Sequence, residues 1–387
     1  MIPIRYNVRS LAVRKATTAA TAFGVALVVF VLGSALMLSA GVKKTLAASG
    51  KDDVAIVLRK GSQGELGSTI EDATISTVLA QPGVKQDGGK ALGSAETVVV
   101  LALEKVGVKG LTNVQVRGVT EDSLKLRPTL TIVRGRPARP GSDEVIIGER
   151  IAGRFKGVDL DQSFDLKKNR PVKVVGIFTD HGSSYESEVW ADRDTLRAAF
   201  GREGSVSSVR VRLESASKLE GFQTAVEQDK RLGLSVTRET KYYEDQSEGL
   251  AIFISVMGSL IAIFFSVGAM IGAMITMYAA VANRQREIGT LRALGFSRSS
   301  ILLSFLMESS LLAIIGGIIG TAASMCMGFV SFSMINFASW SELVFTFDPT
   351  PKILVVALVF SVGMGLIGGF FPALRASRVS PIAAMRG

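Results

Sequence analysis

The residues best suited to act on another molecule lie in one short stretch, Asn283-Arg-Gln-Arg-Glu-Ile-Gly-Thr-Leu-Arg-Ala-Leu-Gly295. Wound as a helix, it turns Ile288, Leu291 and Leu294 with Gly295 to one side and sets Arg286, Glu287 and Arg292 around the rim. An apolar ridge with charged edges suits docking into the groove of a partner. The same pattern also fits a charged turn that anchors two apolar runs. Catalytic chemistry is poorly served elsewhere. No G-x-x-x-x-G-K-[ST] loop is present to cradle phosphates. The single histidine, His181, cannot by itself build a histidine triad or a multi-histidine metal site. No catalytic residue and no metal ligand is therefore assigned, and no intrinsic enzyme activity is expected. The acids between residues 43 and 248 are interspersed with bases, the pattern of a solvated surface. The one cysteine, Cys326, lies in an apolar run and reads as a small packing residue, so no intrachain disulfide can form.

The elements that must position this stretch are apolar. Mean hydropathy is +0.36, and the apolar residues cluster. Uncharged runs cover Ala16–Val42, Gly249–Asn283, Ser309–Ser341 (preceded by Ile301–Met307 and the single charge of Glu308) and Ile353–Leu374. A helix needs about 20 apolar residues to cross a bilayer, and backbone in lipid must bond to itself. Spans are accordingly predicted at 16–42, 249–283, 301–340 and 353–374. The first run is too long for the apolar region of a signal peptide and reads as a retained span.

The formal net charge of +10 is not spread along the chain. Arg5, Arg9, Arg14 and Lys15 precede the first run; Arg284, Arg286, Arg292 and Arg298 sit between the second and third; Arg375, Arg378 and Arg386 follow the last. This bias places both termini and the 284–298 segment in the cytoplasm, and residues 43–248 and the 341–352 loop outside. The large segment is nearly neutral, which excludes a nucleic-acid-binding reading. Residues 1–15 read as an interfacial helix on the inner leaflet, and 375–387 as a cytoplasmic tail.

The fold class expected is a membrane α-helical protein with four transmembrane helices and a large α/β extracytoplasmic domain of two lobes. Strand–helix–strand order recurs at 54–90 and 206–237, so both ends build one lobe and a second is inserted at about 128–205. Tyr242–Glu248 runs toward the second span, either as a helical stalk or as a flexible link. Glu308, a carboxylate in an apolar run, must face protein or water. It serves either as a static bond near the cytoplasmic side, to Arg292 or Arg298, or as a latch that shifts. Small residues recur at Gly268 and Gly272, Gly316 and Gly320, Gly365 and Gly369, a spacing that lets helices approach closely. Packing within one subunit is the simpler use, and a dimer contact is the alternative.

Arg286-Glu-Ile-Gly-Thr-Leu-Arg-Ala-Leu-Gly295 resembles the cytoplasmic loop of the MacB/FtsX/LolC-type ABC permeases. Pro372-Ala-Leu-Arg-Ala-Ser-Arg-Val-Ser-Pro-Ile-Ala-Ala-Met-Arg386 is similar to that family's C-terminal signature. Arg5–Gly24 resembles its first helix, and Glu144–Ala152 with Val172–Gly176 its inserted lobe. The resemblance implies a permease without a fused ATPase domain in a bacterial inner membrane, working by mechanotransmission. It implies a cytoplasmic ABC ATPase partner that uses ATP and Mg, and a second permease, identical or related. The contacts with the ATPase implied here are Arg286, Glu287, Ile288, Leu291, Arg292 and Leu294. A periplasmic adaptor protein and an outer-membrane duct are further partners of such exporters. The function implied is export or extraction of a drug, peptide or lipoprotein from the periplasmic side. The alternative is an FtsX-like regulator that activates a cell-wall hydrolase without transport.

Overall fold

The computed structural model describes residues 15–380. The interfacial helix expected at 1–15 lies, Lys15 apart, outside the described residues, as do residues 381–387 of the tail. The chain divides into two units, Met1–Gly41 with Ala251–Val330 and Thr346–Gly387, and Val42–Leu250 with Ser331–Phe345.

The first unit is helical. Lys15–Ala47, Glu239–Asn283, Arg298–Phe329 and Pro351–Ser377 are long and apolar enough to cross a membrane. A short helix, Gln285–Ala293, lies between the second and third. Local sequence sets the ends: the Ser297 hydroxyl accepts from the Ser300 N–H at the start of the third helix, and Pro351 opens the fourth. A methyl at Gly316 or Gly320 would meet the Ala22 or Ala26 carbonyl of the first helix, and one at Gly365 or Gly369 would meet Ala313 or Ser309 of the third. Those two pairs bring backbones together within the subunit. Gly268 and Gly272 do not. Among the described residues nothing lies within 4 Å of a Cβ added at either, and they share an exposed face with Phe264, Ile271 and Ile275.

The third helix differs from the span expected at 301–340. Its α-helix ends at Cys326, and a 3-10 turn follows at Met327–Phe329. The chain then forms a hairpin of two strands, Ser331–Asn336 and Ser341–Thr346, where residues 341–352 were expected to be a short loop. The physical reason is periodicity. Ser331 and Ser333 alternate with Phe332 and Met334, a two-residue repeat that a helix cannot sort onto one face.

The second unit is built on strands β1 (Val54–Arg59), β2 (Ile70–Glu71), β3 (Gln86–Asp87), β4 (Lys90–Ala91), β5 (Gly93–Glu104), β6 (Leu111–Val119), β7 (Thr131–Gly135), β8 (Glu144–Gly148), β9 (Ser163–Lys167), β10 (Arg170–Thr179), β11 (Glu188–Asp192), β12 (Ser205–Val206), β13 (Ser208–Arg212) and β14 (Leu234–Arg238), with the hairpin as β15 and β16. The main sheet runs β14-β1-β13-β5-β6-β11-β8-β10-β7, with β9 on β10. It feeds two cores. Val57, Val78, Val209, Phe222 and Val236 fill one; Val116, Ile147, Phe155, Ile177 and Val189 fill the other.

The long strand β5 serves both cores, Ala95 in the first and Val99 and Leu103 in the second. The second lobe therefore includes residues from 99 onward and is wider than the 128–205 insertion expected. A 12-residue strand can bridge two cores where a sequence break would mark only one boundary.

Candidate functional site

Successive residues of a strand face opposite sides of its sheet. Val114 and Val116 of β6, and Val189 and Ala191 of β11, enter the second core, while Val209 and Val211 of β13 enter the first. Their neighbours Gln115, Arg117, Glu188, Trp190, Ser208 and Arg210 share the other face. That face is buried too: Arg210 has 0% of its surface exposed and Arg117 1%.

These side chains form one ionic cluster. Arg117 donates to Glu188 from Nε (2.8 Å) and Nη2 (2.8 Å), to Glu65 from both terminal nitrogens (2.9 and 3.1 Å), and to Glu96 from Nη1 (3.0 Å). Arg127 grips both oxygens of Glu96, at 2.7 and 3.0 Å. Arg210 donates to Glu65 and Glu96 from Nη1 (2.7 and 2.8 Å) and to Glu239 from Nε (2.8 Å). Aromatic groups close the cluster. The Tyr243 hydroxyl accepts from Arg210 at 3.2 Å and donates to Tyr185 at 2.8 Å. The Arg127 guanidinium lies 4.6 Å from the Tyr185 ring centre and 5.2 Å from that of Trp190.

Burial acts to raise the Glu65 carboxyl, but Arg117 and Arg210 overcome it and hold the group well below the usual carboxylate range. Glu96 is balanced the same way by burial against Arg127, Arg210 and Arg117, and is lowered to about 2. Burial, with Arg127 opposing it, lifts the Tyr185 phenol to about 12. At neutral pH both carboxyls are ionised and the phenol keeps its proton. The cluster thus holds three guanidiniums against the carboxylates of Glu65, Glu96, Glu188 and Glu239. Glu239 is the first residue of the 45-residue helix Glu239–Asn283. Tyr242 and Tyr243 are in its next turn, and the Tyr242 hydroxyl accepts the Glu65 N–H at 3.3 Å. The first turn of this helix is therefore bonded into the core of the domain.

The hairpin β15–β16 is held by charge as well. Glu342, 4% exposed, takes Lys105 Nζ at 2.9 Å and Arg154 Nη2 at 2.8 Å. Arg150 Nη1 donates to the Val344 carbonyl at 2.6 Å.

The docking stretch has a different anatomy from the one its pattern suggests. Ile288 is 2% exposed and packs with Met277, Val281, Ile301 and Phe305, and Leu291 leans on the same cluster. The ridge is therefore turned largely into the subunit itself, and Ile288 is not available to a partner. What faces out is Leu294, 72% exposed, with Arg286, Glu287 and the half-buried Arg292. Gly295 follows at φ 94°, a left-handed position that ends the helix. Glu308 pairs with Arg284, Nη1 to Oε2 at 3.2 Å, and not with Arg292 or Arg298; Arg284 also bonds Glu287 at 2.8 Å. Arg284 immediately precedes the short helix, which places its guanidinium beside the third helix, while Arg292 turns to the Phe296 carbonyl at 3.1 Å.

The MacB-like periplasmic core domain family matches residues 16–229, and the FtsX-like permease C-terminal family matches residues 259–381. The chain belongs to the MacB/FtsX-like ABC permeases. This permease is 29% identical over 227 residues to the uncharacterized ABC transporter permease YknZ of Bacillus subtilis, covering 56% of the chain and 54% of the relative. It is 32% identical over 232 residues to the macrolide export ATP-binding/permease protein MacB of Burkholderia lata, covering 57% of the chain and 32% of that protein. The alignments thus span about half the length of YknZ and a third of MacB. A crystal structure of the extracellular domain of YknZ, from Gram-positive bacteria, aligns with 48% of the chain and 99% of that domain, at 19% identity and a TM-score of 0.36.

The permease has four long apolar helices and a large mixed α/β extracytoplasmic domain. Its sequence hid the ionic cluster because alternation reports only that a face is polar. The one available signal was Arg or Glu recurring opposite valines in β5, β6, β11 and β13. A solvated face shows the same pattern.

Proposed function

We propose that this permease passes ATP-driven motion from a cytoplasmic ABC ATPase to its extracytoplasmic domain. The ATPase supplies ATP binding and hydrolysis with Mg and grips the outward side of Gln285–Ala293, at Arg286, Glu287, Arg292 and Leu294. Both termini are cytoplasmic, and a second permease, identical or related, completes the assembly. The motion drives export or extraction of a small hydrophobic molecule, peptide or lipoprotein, with an adaptor and outer-membrane duct where a second membrane exists.

The observation that carries this reading is the unbroken helix Glu239–Asn283. Its first residue is ion-paired to Arg210, and its last adjoins the short helix. In this reading a push at one end is passed along the helix to the other. The test is Gly249→Pro, which interrupts the backbone ladder at a site where an added Cβ meets nothing within 4 Å among the described residues. In the reconstituted complex, ATP hydrolysis should continue while the outer activity is lost. Export at the unaltered rate would refute transmission through this helix. Affinity capture of the outer domain separates an exporter, which brings an adaptor, from an FtsX-like regulator, which brings a hydrolase.

A further inference from the structure

Two turns of the extracytoplasmic unit leave large apolar side chains uncovered. The β15–β16 hairpin exposes Phe332, Ile335, Phe337 and Trp340, the last two each 58% exposed. The turn between β5 and β6, Val106-Gly-Val-Lys-Gly-Leu111, exposes Val106, Val108 and Leu111. The two turns are neighbours: Lys105 Nζ donates to Glu342 at 2.9 Å, and Asn113 Nδ2 donates to the Trp340 carbonyl at 2.9 Å. Trp340 takes φ 52°, a left-handed position uncommon for so bulky a residue. An apolar patch on this scale marks contact with a protein or a membrane.

Chain continuity selects the membrane. Ser331 directly follows Val330, where the third apolar stretch of the helical unit ends, and Phe345 directly precedes Thr346, where that unit resumes. The far end of the hairpin is tied to the last residues before the second stretch. Asn336 Nδ2 donates to Gln246 Oε1 at 3.3 Å, and Phe337 and Trp340 line a cavity with Gly249 and Leu250, next to Ala251. Both roots and the tip of the hairpin are thus within a few residues of an apolar run. No charge interrupts the sequence from Ser309 to Ser341. The one charge of the hairpin, Glu342, is buried and paired, and Asp245 at the cavity is paired with Lys241 at 2.6 Å. Exposed apolar side chains continue into the helical unit at Phe329 and Val330, and at Ile252 and Phe253. Aromatic rings beside the ends of spans suit the boundary between headgroups and acyl chains, and a lysine among apolar residues, as Lys109 is, suits lipid phosphates. We propose that these two turns rest in the lipid headgroup region on the side of the bilayer that carries the domain. This inference rests on the helices crossing a membrane and not on the passage of motion along them.

Tryptophan fluorescence tests it in the full chain. Trp340 and Trp190 are the two tryptophans, and Trp190 is buried in the domain, so Trp340→Phe supplies the background. The chain is reconstituted into phosphatidylcholine vesicles, either plain or brominated high on the acyl chains, where bromine quenches tryptophan on contact. Brominated lipid should remove about half the emission of the parent, the share of one interfacial tryptophan in two, and leave Trp340→Phe unchanged. Iodide present on both sides of the plain vesicles should quench Trp340 little. Phe337→Trp and Val108→Trp, each made in the Trp340→Phe chain, should regain the bromine quenching. Equal parent emission in both kinds of vesicle would overturn the proposal: with strong iodide quenching the hairpin stands in water, and with none a second copy of the chain covers it. Bromine quenching of Phe337→Trp without that of Val108→Trp would overturn the placement of the β5–β6 turn.

Discussion

Arg210 Nε lies 2.8 Å from Glu239 Oε1, joining the middle of a domain strand to the first residue of the 45-residue helix. Both side chains are nearly inaccessible, at 0% and 4% exposure. Removing one partner of a buried pair leaves the other charge stranded and costs about 3–5 kcal/mol. Arg210→Leu strands Glu239 and takes one guanidinium each from Glu65 and Glu96, which keep Arg117 and Arg127, so it should fall at the upper end of that range. Glu239→Gln keeps an acceptor and should cost about 1–3 kcal/mol. Both tryptophans, Trp190 and Trp340, lie in the extracytoplasmic unit, so denaturant unfolding followed by tryptophan fluorescence reads this unit directly.

The same signal tests the charge state of the cluster. Glu96 is lowered to about 2 and Glu65 well below the usual range. A carboxyl whose folded pKa lies below its unfolded value binds fewer protons in the native state. Its contribution is complete above the unfolded value, near pH 4.5, and is lost as pH falls toward the folded value. For Glu96 the loss amounts to about 3 kcal/mol. Stability should be nearly level from pH 7 to 5 and fall steeply from pH 5 to 2. In Glu96→Gln the fall should be shallower. An identical slope would mean that Glu96 does not hold its charge in the folded domain.

Much of the architecture was legible because hydropathy is additive along a helix. Ile353–Leu374 reads as a span from its own residues. The cluster was not legible, since Arg117 and Glu188 look alike on a solvated face and on a face that Tyr185, Tyr243 and the Glu65 turn cover. Burial there depends on which distant segments return to the sheet. The hairpin was missed for the opposite reason. Residues 331–341 carry no charge, and an uncharged run extends a predicted span whether it is helix or strand. Ile288 shows the same limit on the short helix: spacing identified an apolar ridge, but whether a neighbouring subunit or its own subunit buries it is a tertiary fact.

That distinction separates two substitutions on the short helix. Leu294→Asp changes an exposed side chain and should leave unfolding within about 0.5 kcal/mol of the parent. It should nevertheless remove stimulation of the ATPase. Ile288→Asp buries a charge among Met277, Val281 and Phe305 and should prevent stable folding. Detergent-solubilised yield, unfolding midpoint and ATPase rate together resolve the pair.

The glycines divide in the same way. Gly320→Leu forces a side chain into the Ala26 carbonyl of the first helix and should destabilise the bundle by about 1–3 kcal/mol. Gly268→Leu adds a side chain on an exposed face, where a Cβ meets nothing within 4 Å among the described residues, and should leave the midpoint of the solubilised protomer unchanged. Thermal unfolding of both variants checks the contrast.

The claim that most depends on topology is that the Leu294 side of the short helix is presented to the cytoplasm, where an ATPase can hold it. Cys326 is the only native cysteine, so Cys326→Ser with Leu294→Cys gives a chain with one thiol. A membrane-impermeant maleimide should label it only after the cells are permeabilised, and the bound ATPase should shield it. Labelling in intact cells would put this helix on the outer surface and contradict the account.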